Sequence, residues 1–124
     1  MHNSSMMTVD EFFSGRAASH EIFVALRAAL AGIGRADLRV TKSQIAFRRD
    51  RAFAWAWVPG KYLHGDTAPL VLTVCLRRRD SSPRWKEVVE PVKGRYTHHL
   101  ELREAHDVDD QVRAWLLEAW GQAG

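Results

Sequence analysis

The stretch AFAWAWVPG, residues 52–60, places an aromatic residue at every second position of its first six residues, with alanines between them. An alternation of period two predicts a β-strand, because successive side chains of a strand point to opposite faces of its sheet. The proline–glycine pair ends the strand. We expect the large residues Phe53, Trp55 and Trp57 to face the helices of the domain.

Three more strands and three helices are predicted around this stretch. The strands lie at residues 44–49, 70–77 and 95–103; a short helix begins at the capping box Thr8-Val9-Asp10-Glu11, a second runs from about residue 17 to Gly32 and Gly34, and a third is capped by Asp107 and ends at Gly121. This order predicts an α+β fold, a four-stranded antiparallel meander with two N-terminal helices and one C-terminal helix packed on one face. We expect residues 8–124 to form a single domain and residues 1–7 a flexible leader.

The composition fits one globular domain, with 124 residues, 46% of them hydrophobic and 27% charged. The single cysteine excludes an internal disulfide. The chain has no basic, apolar start of the signal-peptide type, and no apolar run approaches the ~20 residues of a membrane span. We therefore expect a cytoplasmic protein without a membrane partner. Its formal charge of +3 is only mildly basic, so the position of the charges matters more than their sum.

Small side chains are predicted to line the sheet face opposite the aromatic residues. They are Ala46, Ala52, Ala54, Ala56, Thr73 and Cys75. Because such side chains leave a shallow floor, this face is predicted to be open to a ligand, to the loop at residues 78–94 or to a second copy of the protein.

Two adjacent histidines occur in GRYTHHLEL, residues 94–102. In a strand they must point to opposite faces. His98 shares a face with the leucines and is predicted at the edge of the core, hydrogen-bonded through one ring nitrogen. His99 shares the open face with Glu101 and is the candidate for a site.

His99 is open to more than one interpretation. With Cys75 it would form the thiol–imidazole pair of nucleophilic catalysis, and with Glu101 and a residue of the next strand it would form a loose set of metal ligands. A cysteine in a buried strand is more often a small apolar residue, and the sequence has no CxxC, HExxH or spaced histidine cluster. We expect no metal and no cofactor, and a surface histidine beside Glu101.

Basic residues gather at one end of the predicted sheet. In an up-and-down meander, the turn at residues 49–51 lies beside the end of the strand at residues 70–77, and the next loop returns to the same end. The candidate contacts for an anion or a nucleic acid are Arg49, Arg51, Arg77, Arg78, Arg79 and Arg84. Trp85 is predicted to be available for stacking on a base. Acidic residues in the same loops allow a second interpretation, in which the turn region is solvated and its opposite charges neutralise one another.

Five segments of the chain resemble a bacterial family described only as a domain of unknown function, number fifty-six fifty-five. They are VTKSQIAFRR, FAWAWVP, RRDSSPRWKEVVEP, THHLEL and DVDDQVRAWLLEAW. The resemblance extends over nearly the whole chain from Thr8 onward. It implies a compact α+β domain that occurs alone or as the C-terminal module of larger proteins, some with restriction-nuclease-like partners and some named predicted transport proteins. It implies no particular activity, and no catalytic residue is carried over.

Lys42 and Arg48 stand inside the matching segments, and with His99 and Glu101 they are our candidate ligand-binding residues. The leading hypothesis is a non-catalytic binding or accessory module for an anionic ligand or a nucleic acid. The alternatives are a small enzyme that uses His99, Glu101 and Cys75 on the open sheet face, and a structural unit that forms a homodimer through its alanine-lined face.

Overall fold

The computed structural model describes residues 7–124, which form three α-helices and six β-strands. In chain order they are α1 Val9–Phe12, α2 Ala17–Ala31, β1 Asp37–Val40, β2 Ile45–Arg48, β3 Ala52–Trp57, β4 Leu70–Leu76, β5 Glu87–Val92, β6 Arg95–Leu102 and α3 Asp110–Gln122. Short 3-10 turns lie at Pro59–Lys61 and Ala105–Asp107. Of the predicted leader at residues 1–7, all but Met7 lies outside the described residues.

The α+β class is confirmed, but the antiparallel sheet has six strands rather than four, in the order β1-β2-β3-β4-β6-β5. The two additional strands are the edges of the sheet. β1 has only four residues, which is too short for a clear alternation. β5 contains Pro91 and is mostly exposed, a pattern that favours a loop in sequence analysis. An edge strand accommodates a proline because part of its backbone needs no partner. Since β5 pairs on the outer side of β6, the sheet is not a simple meander.

Helices α1 and α3 begin at side-chain caps, whereas no side chain among the described residues caps the start of α2. At the start of α1, Thr8 Oγ1 accepts a hydrogen bond from the Glu11 amide at 3.1 Å, and Glu11 Oε1 accepts one from the Thr8 amide at 2.8 Å. The cap of α3 is Asp109, which accepts from the Val112 amide at 3.1 Å. The predicted cap, Asp107, instead closes the preceding 3-10 turn. No helix within residues 7–124 is long and apolar enough to cross a membrane.

The alanines and tryptophans of β3 lie on the faces opposite to those predicted. Ala54 and Ala56 are fully buried in the core, whereas Trp55 and Trp57 are half-buried on the other face. The reason is that α3 packs against β3 and β4. An alanine allows a helix to approach a sheet closely, whereas an indole ring would hold it away. The large side chains in this part of the core come instead from the neighbouring strands. They are the cross-strand partners of the two alanines, namely Ile45, Phe47, Leu72 and Val74.

Phe53 is buried in the core, as predicted, with 1% of its surface exposed. It lies where the pairing of β2 with β3 shifts register, so it leaves the alternation of its strand. Among the small residues predicted on the open face, Ala46 and Thr73 both pair directly with Trp55. The open face is therefore floored by tryptophans together with small residues, and not by a row of alanines.

His98 is on the core face, as predicted, but it is fully buried rather than at the edge of the core, and both of its ring nitrogens have partners rather than one. Its Nδ1 lies 3.2 Å from the Tyr96 carbonyl oxygen and 3.3 Å from that of Val74. Its Nε2 accepts a hydrogen bond from the Asp80 amide at 3.0 Å. An imidazole that donates through Nδ1 and accepts through Nε2 is neutral. Burial lowers the pKa of His98, which favours the same form.

Trp85 is buried, contrary to its prediction as a stacking residue, and has 8% of its surface exposed. Its ring centroid lies 4.8 Å from that of His98 and 4.0 Å from that of Trp115. The indole N–H donates to Asp80 Oδ2 at 2.8 Å. These contacts hold the first part of the loop after β4 on the core side of the sheet.

Phe47 and Trp55 test the assignment of the two sheet faces. Phe47→Ala removes a fully buried ring and should lower the free energy of unfolding by about 3–5 kcal/mol. Trp55→Ala removes a half-buried ring, so we expect a loss of roughly half that size or less. Chemical denaturation of both variants measures the difference. Equal losses would place Trp55 in the core.

His98 should make the fold sensitive to acid. In the unfolded chain its imidazole takes up a proton near pH ~6.5, whereas burial lowers its pKa in the folded protein. The unfolded state therefore binds the proton first, and the free energy of unfolding should decrease as the pH falls below about 6.5.

His98→Ala should destabilise the protein by about 1–3 kcal/mol at neutral pH, because it leaves the partly buried Asp80 amide without its acceptor. It should also reduce the pH dependence. Denaturant melts at a series of pH values measure both effects, with the exposed His106→Ala as the control. A His98→Ala protein as stable as the wild type would contradict this account.

Candidate functional site

A cleft of about 470 Å³ lies on the open face of the sheet. Its lining comes from three strands and two connecting segments and consists of Ser43, Gln44, Trp55, Trp57, Tyr62, Thr73, Thr97 and His99. We call this the aromatic cleft. Three of its residues form a row across the sheet, since Thr73 of β4 pairs with Trp55 of β3 on one side and with His99 of β6 on the other.

A chain of hydrogen bonds crosses the floor of the aromatic cleft. The indole N–H of Trp57 donates to Thr73 Oγ1 at 3.1 Å, and the same oxygen lies 2.7 Å from His99 Nδ1. The Trp57 and His99 rings meet edge to face with their centroids 6.4 Å apart. Because Thr73 Oγ1 already accepts from the indole, its own hydrogen is available to donate to Nδ1. This arrangement favours a neutral His99 with its proton on Nε2.

His99 presents that Nε2–H group for an external partner. Within residues 7–124, no protein group forms a hydrogen bond with Nε2, and no side-chain nitrogen or oxygen is both buried and unpaired. Burial lowers the pKa of His99, although the nearby Glu87 carboxylate acts in the opposite direction. The neutral ring therefore prevails at pH 7, with one hydrogen-bond donor directed away from Thr73.

The loop after β3 supplies Tyr62 to the rim of the aromatic cleft. The Tyr62 hydroxyl donates to the Ser43 carbonyl oxygen at 3.4 Å. The neighbouring Lys61 donates to the Phe12 carbonyl oxygen at 3.2 Å and lies 3.5 Å from the centre of the Phe12 ring. Burial, with a contribution from Arg16, lowers the pKa of Lys61. Lys61 thus ties the loop to α1 and fixes the wall that Tyr62 forms.

The structure does not gather the four candidate ligand-binding residues into one site. His99 lines the aromatic cleft, and Lys42 is exposed directly before Ser43 at its rim. Arg48 lies at the other end of β2. Glu101 shares the face of His99 but pairs with two cations, Lys86 at 3.5 Å and Arg103 at 3.7 Å. The predicted pairing of His99 with Glu101 is replaced by its hydrogen bond to Thr73.

Several of the arginines predicted as anion contacts are engaged inside the protein. Arg78 forms two hydrogen bonds to Glu118 and one to Asp80, all at 2.9 Å. These bonds raise the pKa of Arg78. Arg84 binds both carboxylate oxygens of Asp109, the α3 cap, at 3.0 Å. Both arginines therefore fasten the loop after β4 to α3.

Two further arginines of the set pack on aromatic rings. The Arg49 guanidinium lies 3.7 Å from the centre of the Trp120 ring and donates to the Trp120 carbonyl oxygen at 3.2 Å. Arg79 lies 5.3 Å from the centre of the Tyr96 ring. Guanidinium groups in such contacts contribute to packing as well as to charge.

The remaining two, Arg51 and Arg77, share a small cleft with Arg95. The other lining residues are Ala52, Phe53, Cys75, Ala119, Gln122 and Ala123. We call this the arginine cleft. It lies where β3 and β4 meet the C-terminal end of α3. Cys75 therefore belongs to this second cleft, and in the described part of the chain no hydrogen bond joins it to His99.

One group of side chains outside both clefts has the composition of a metal site. Glu104, His106 and Asp107 bring potential ligand atoms within 4.8 Å of one another. Two of the three are exposed. Asp107 Oδ2 accepts the backbone amides of Arg103 at 2.9 Å and Glu104 at 3.1 Å. The formation of the 3-10 turn accounts for this cluster.

The predicted site residues do not include Trp55, Trp57 or Tyr62, which line the aromatic cleft. The sequence does contain an indication for the two tryptophans. They are the large residues on one face of their strand, and one face of the sheet was predicted to be open. Tyr62 carries none, because its position in a loop gives no indication of what it contacts. The polar floor, by contrast, includes His99 and Thr73, which the alternation of their strands places on the open face.

Neither the curated proteins nor the solved structures contain a match to this chain. A family model does match, and it covers residues 9–123, almost all of the residues that the structure describes. The chain therefore belongs to the family described as Domain of unknown function (DUF5655).

Proposed function

We propose that this protein is a non-catalytic binding module whose aromatic cleft holds a planar ring. One observation carries the proposal: the bonded series Trp57–Thr73–His99 places a neutral imidazole donor on the floor of a cleft walled by aromatic rings. A flat heterocycle with an acceptor atom at its edge satisfies both features, because its face stacks on an indole while its edge receives the Nε2–H hydrogen bond.

The cleft is suited to a ring because its walls are rigid. Trp55 and Trp57 stand on a central strand that is paired on both sides. Trp57 is fixed further by its hydrogen bond to Thr73. Large side chains with few rotatable bonds offer contact area at a small entropic cost, which is why tryptophan and tyrosine dominate many binding surfaces.

Binding is favoured over catalysis by the partners of His99. A nucleophile–base pair needs a base that is free to take a proton and is oriented by a third group. Here Nδ1 is bonded to Thr73, whose oxygen also holds the Trp57 indole. Glu101 is paired with cations rather than with His99. The alternative enzyme built on His99, Glu101 and Cys75 would need these contacts to be rearranged.

Adenosine is an uncharged probe that contains the required ring. The five tryptophans give five indole N–H signals in a nitrogen-15 spectrum, and we expect adenosine to shift those of Trp55 and Trp57 while leaving Trp85 and Trp115 unchanged. Trp55→Ala should weaken binding by about tenfold or more, since stacking on one ring is worth roughly 1–3 kcal/mol.

Leu117→Ala is the matched control for this titration, because Leu117 is exposed on α3 away from the aromatic cleft. It should bind adenosine as the wild type does. Sedimentation of the free protein accompanies the titration, since a homodimer formed through the open face would cover the cleft. Uniform small shifts, or binding unaffected by Trp55→Ala, would exclude the aromatic cleft as the site.

Thr73 and His99 test how the floor of the cleft acts. His99→Ala should weaken adenosine binding by about five- to tenfold, the value of one neutral hydrogen bond of about 1 kcal/mol. Thr73→Val keeps the shape of the side chain but removes the group bonded to Nδ1, so binding should weaken and the His99 imidazole signals should show a mixture of tautomers. If Thr73→Val changed neither, Thr73 would have no positioning role.

A further inference from the structure

We propose that the ring in the aromatic cleft is the base of a nucleotide and that the arginine cleft binds its phosphate. The inference rests on the proposed function, because it takes the aromatic cleft as the place of the base. It adds a second recognition element and names the ligand class.

The two clefts adjoin where β4 pairs with β6, although Phe53 and the C-terminal end of α3 close the arginine cleft from the core side of the sheet. Thr97 lines the aromatic cleft and Cys75 lines the arginine cleft, and these two residues are directly paired between β6 and β4. Along β6, Arg95 of the arginine cleft precedes Thr97 by two residues and His99 by four. At the rise of a β-strand these steps correspond to about 7 Å and about 13 Å. A ligand as short as one or two nucleotides can reach both clefts.

The arginine cleft concentrates positive charge without acidic partners. Among the described residues, neither Arg51 nor Arg95 forms an ion pair, although carboxylates neutralise Arg78 at the same end of the sheet. The Arg77 guanidinium donates to the Gln122 carbonyl oxygen at 3.1 Å rather than to a carboxylate. Three residues that line this one small cleft carry a positive charge, and such a concentration of like charge favours the binding of an anion there.

Contacts with α3 hold Arg77 in a position from which it can bind such an anion. Its side chain bonds the Gln122 carbonyl oxygen, and its backbone amide donates to Gln122 Oε1 at 3.1 Å. Only one arm of the guanidinium is used in this way, so the other N–H groups remain available to a phosphate. Arginine binds phosphate through a planar fork of donors, and positioning the fork in advance lowers the entropic cost of binding.

The phosphate and the ring together indicate a nucleotide, either free or within a single strand. A base inside a duplex is stacked on both faces and has no free ring for the aromatic cleft, whereas the bases of a single strand are open to aromatic side chains. Adenine also has ring nitrogens that accept the hydrogen bond that neutral His99 offers. Double-stranded nucleic acid should therefore bind more weakly than a single strand of the same length.

The experiment compares adenosine with adenosine monophosphate by the same tryptophan signals. We expect the monophosphate to bind at least about tenfold more tightly, because it adds charged hydrogen bonds to the arginines. Arg51→Gln combined with Arg95→Gln should abolish this advantage and leave adenosine binding unchanged. Arg27→Gln, an exposed arginine on α2, is the charge-matched control and should retain it.

Equal affinity for adenosine and its monophosphate would overturn the nucleotide inference while leaving the aromatic cleft as a binding site. Binding of neither would overturn the proposed function as well. A six-nucleotide deoxyadenosine strand and the corresponding duplex distinguish the source of the nucleotide. Tighter binding of the strand than of the monophosphate assigns the site to single strands. In that case the slope of the logarithm of the binding constant against the logarithm of the salt concentration should fall by about 0.7 for each phosphate contact that the double variant loses. Strand binding no tighter than that of the monophosphate assigns it to free nucleotides, and preference for the duplex contradicts the inference.

Discussion

The close packing of α3 against the alanines of β3 is the constraint on which the rest of the structure depends. Ala54 and Ala56 are fully buried beneath the helical layer, and the strands on either side provide the large core residues. Because successive residues of a strand alternate, placing these alanines inward forces Trp55 and Trp57 outward. The core and the aromatic cleft are therefore two consequences of one choice of strand face. A sequence change that reversed β3 would remove both.

The two histidines of β6 show the same coupling on a smaller scale. His98 accepts at Nε2 from the Asp80 amide inside the core, whereas His99 is bonded at Nδ1 by the Thr73 hydroxyl on the open face. Each ring is kept neutral, but in the opposite tautomer. The buried ring uses its remaining donor within the protein. The ring in the cleft keeps its donor for a ligand, which is how one dipeptide serves both the fold and the site.

Local patterns predict the parts of this structure that depend on neighbours in sequence. The period of two in residues 52–58 is enough to predict β3, and the alternation of β6 separates His98 from His99. The alternation in β3 does not reveal which of its faces the helices cover, because alanine and tryptophan are both compatible with a core. The aromatic cleft depends on the pairing of three strands and on Tyr62 from a loop. No short-range pattern contains that information, so the cleft is visible only in the folded chain.

The arginines show why a count of basic residues is a poor guide to a binding surface. The chain has a formal charge of only +3, and Arg78 and Arg84 are engaged with carboxylates that fasten a loop to α3. Removing either would disturb the fold and any binding together, so neither reports on a ligand. Arg51 and Arg95 differ because no carboxylate within residues 7–124 forms an ion pair with them and because both line one small cleft beside Cys75. The absence of an internal partner, rather than the number of charges, is what makes an arginine available to an anion.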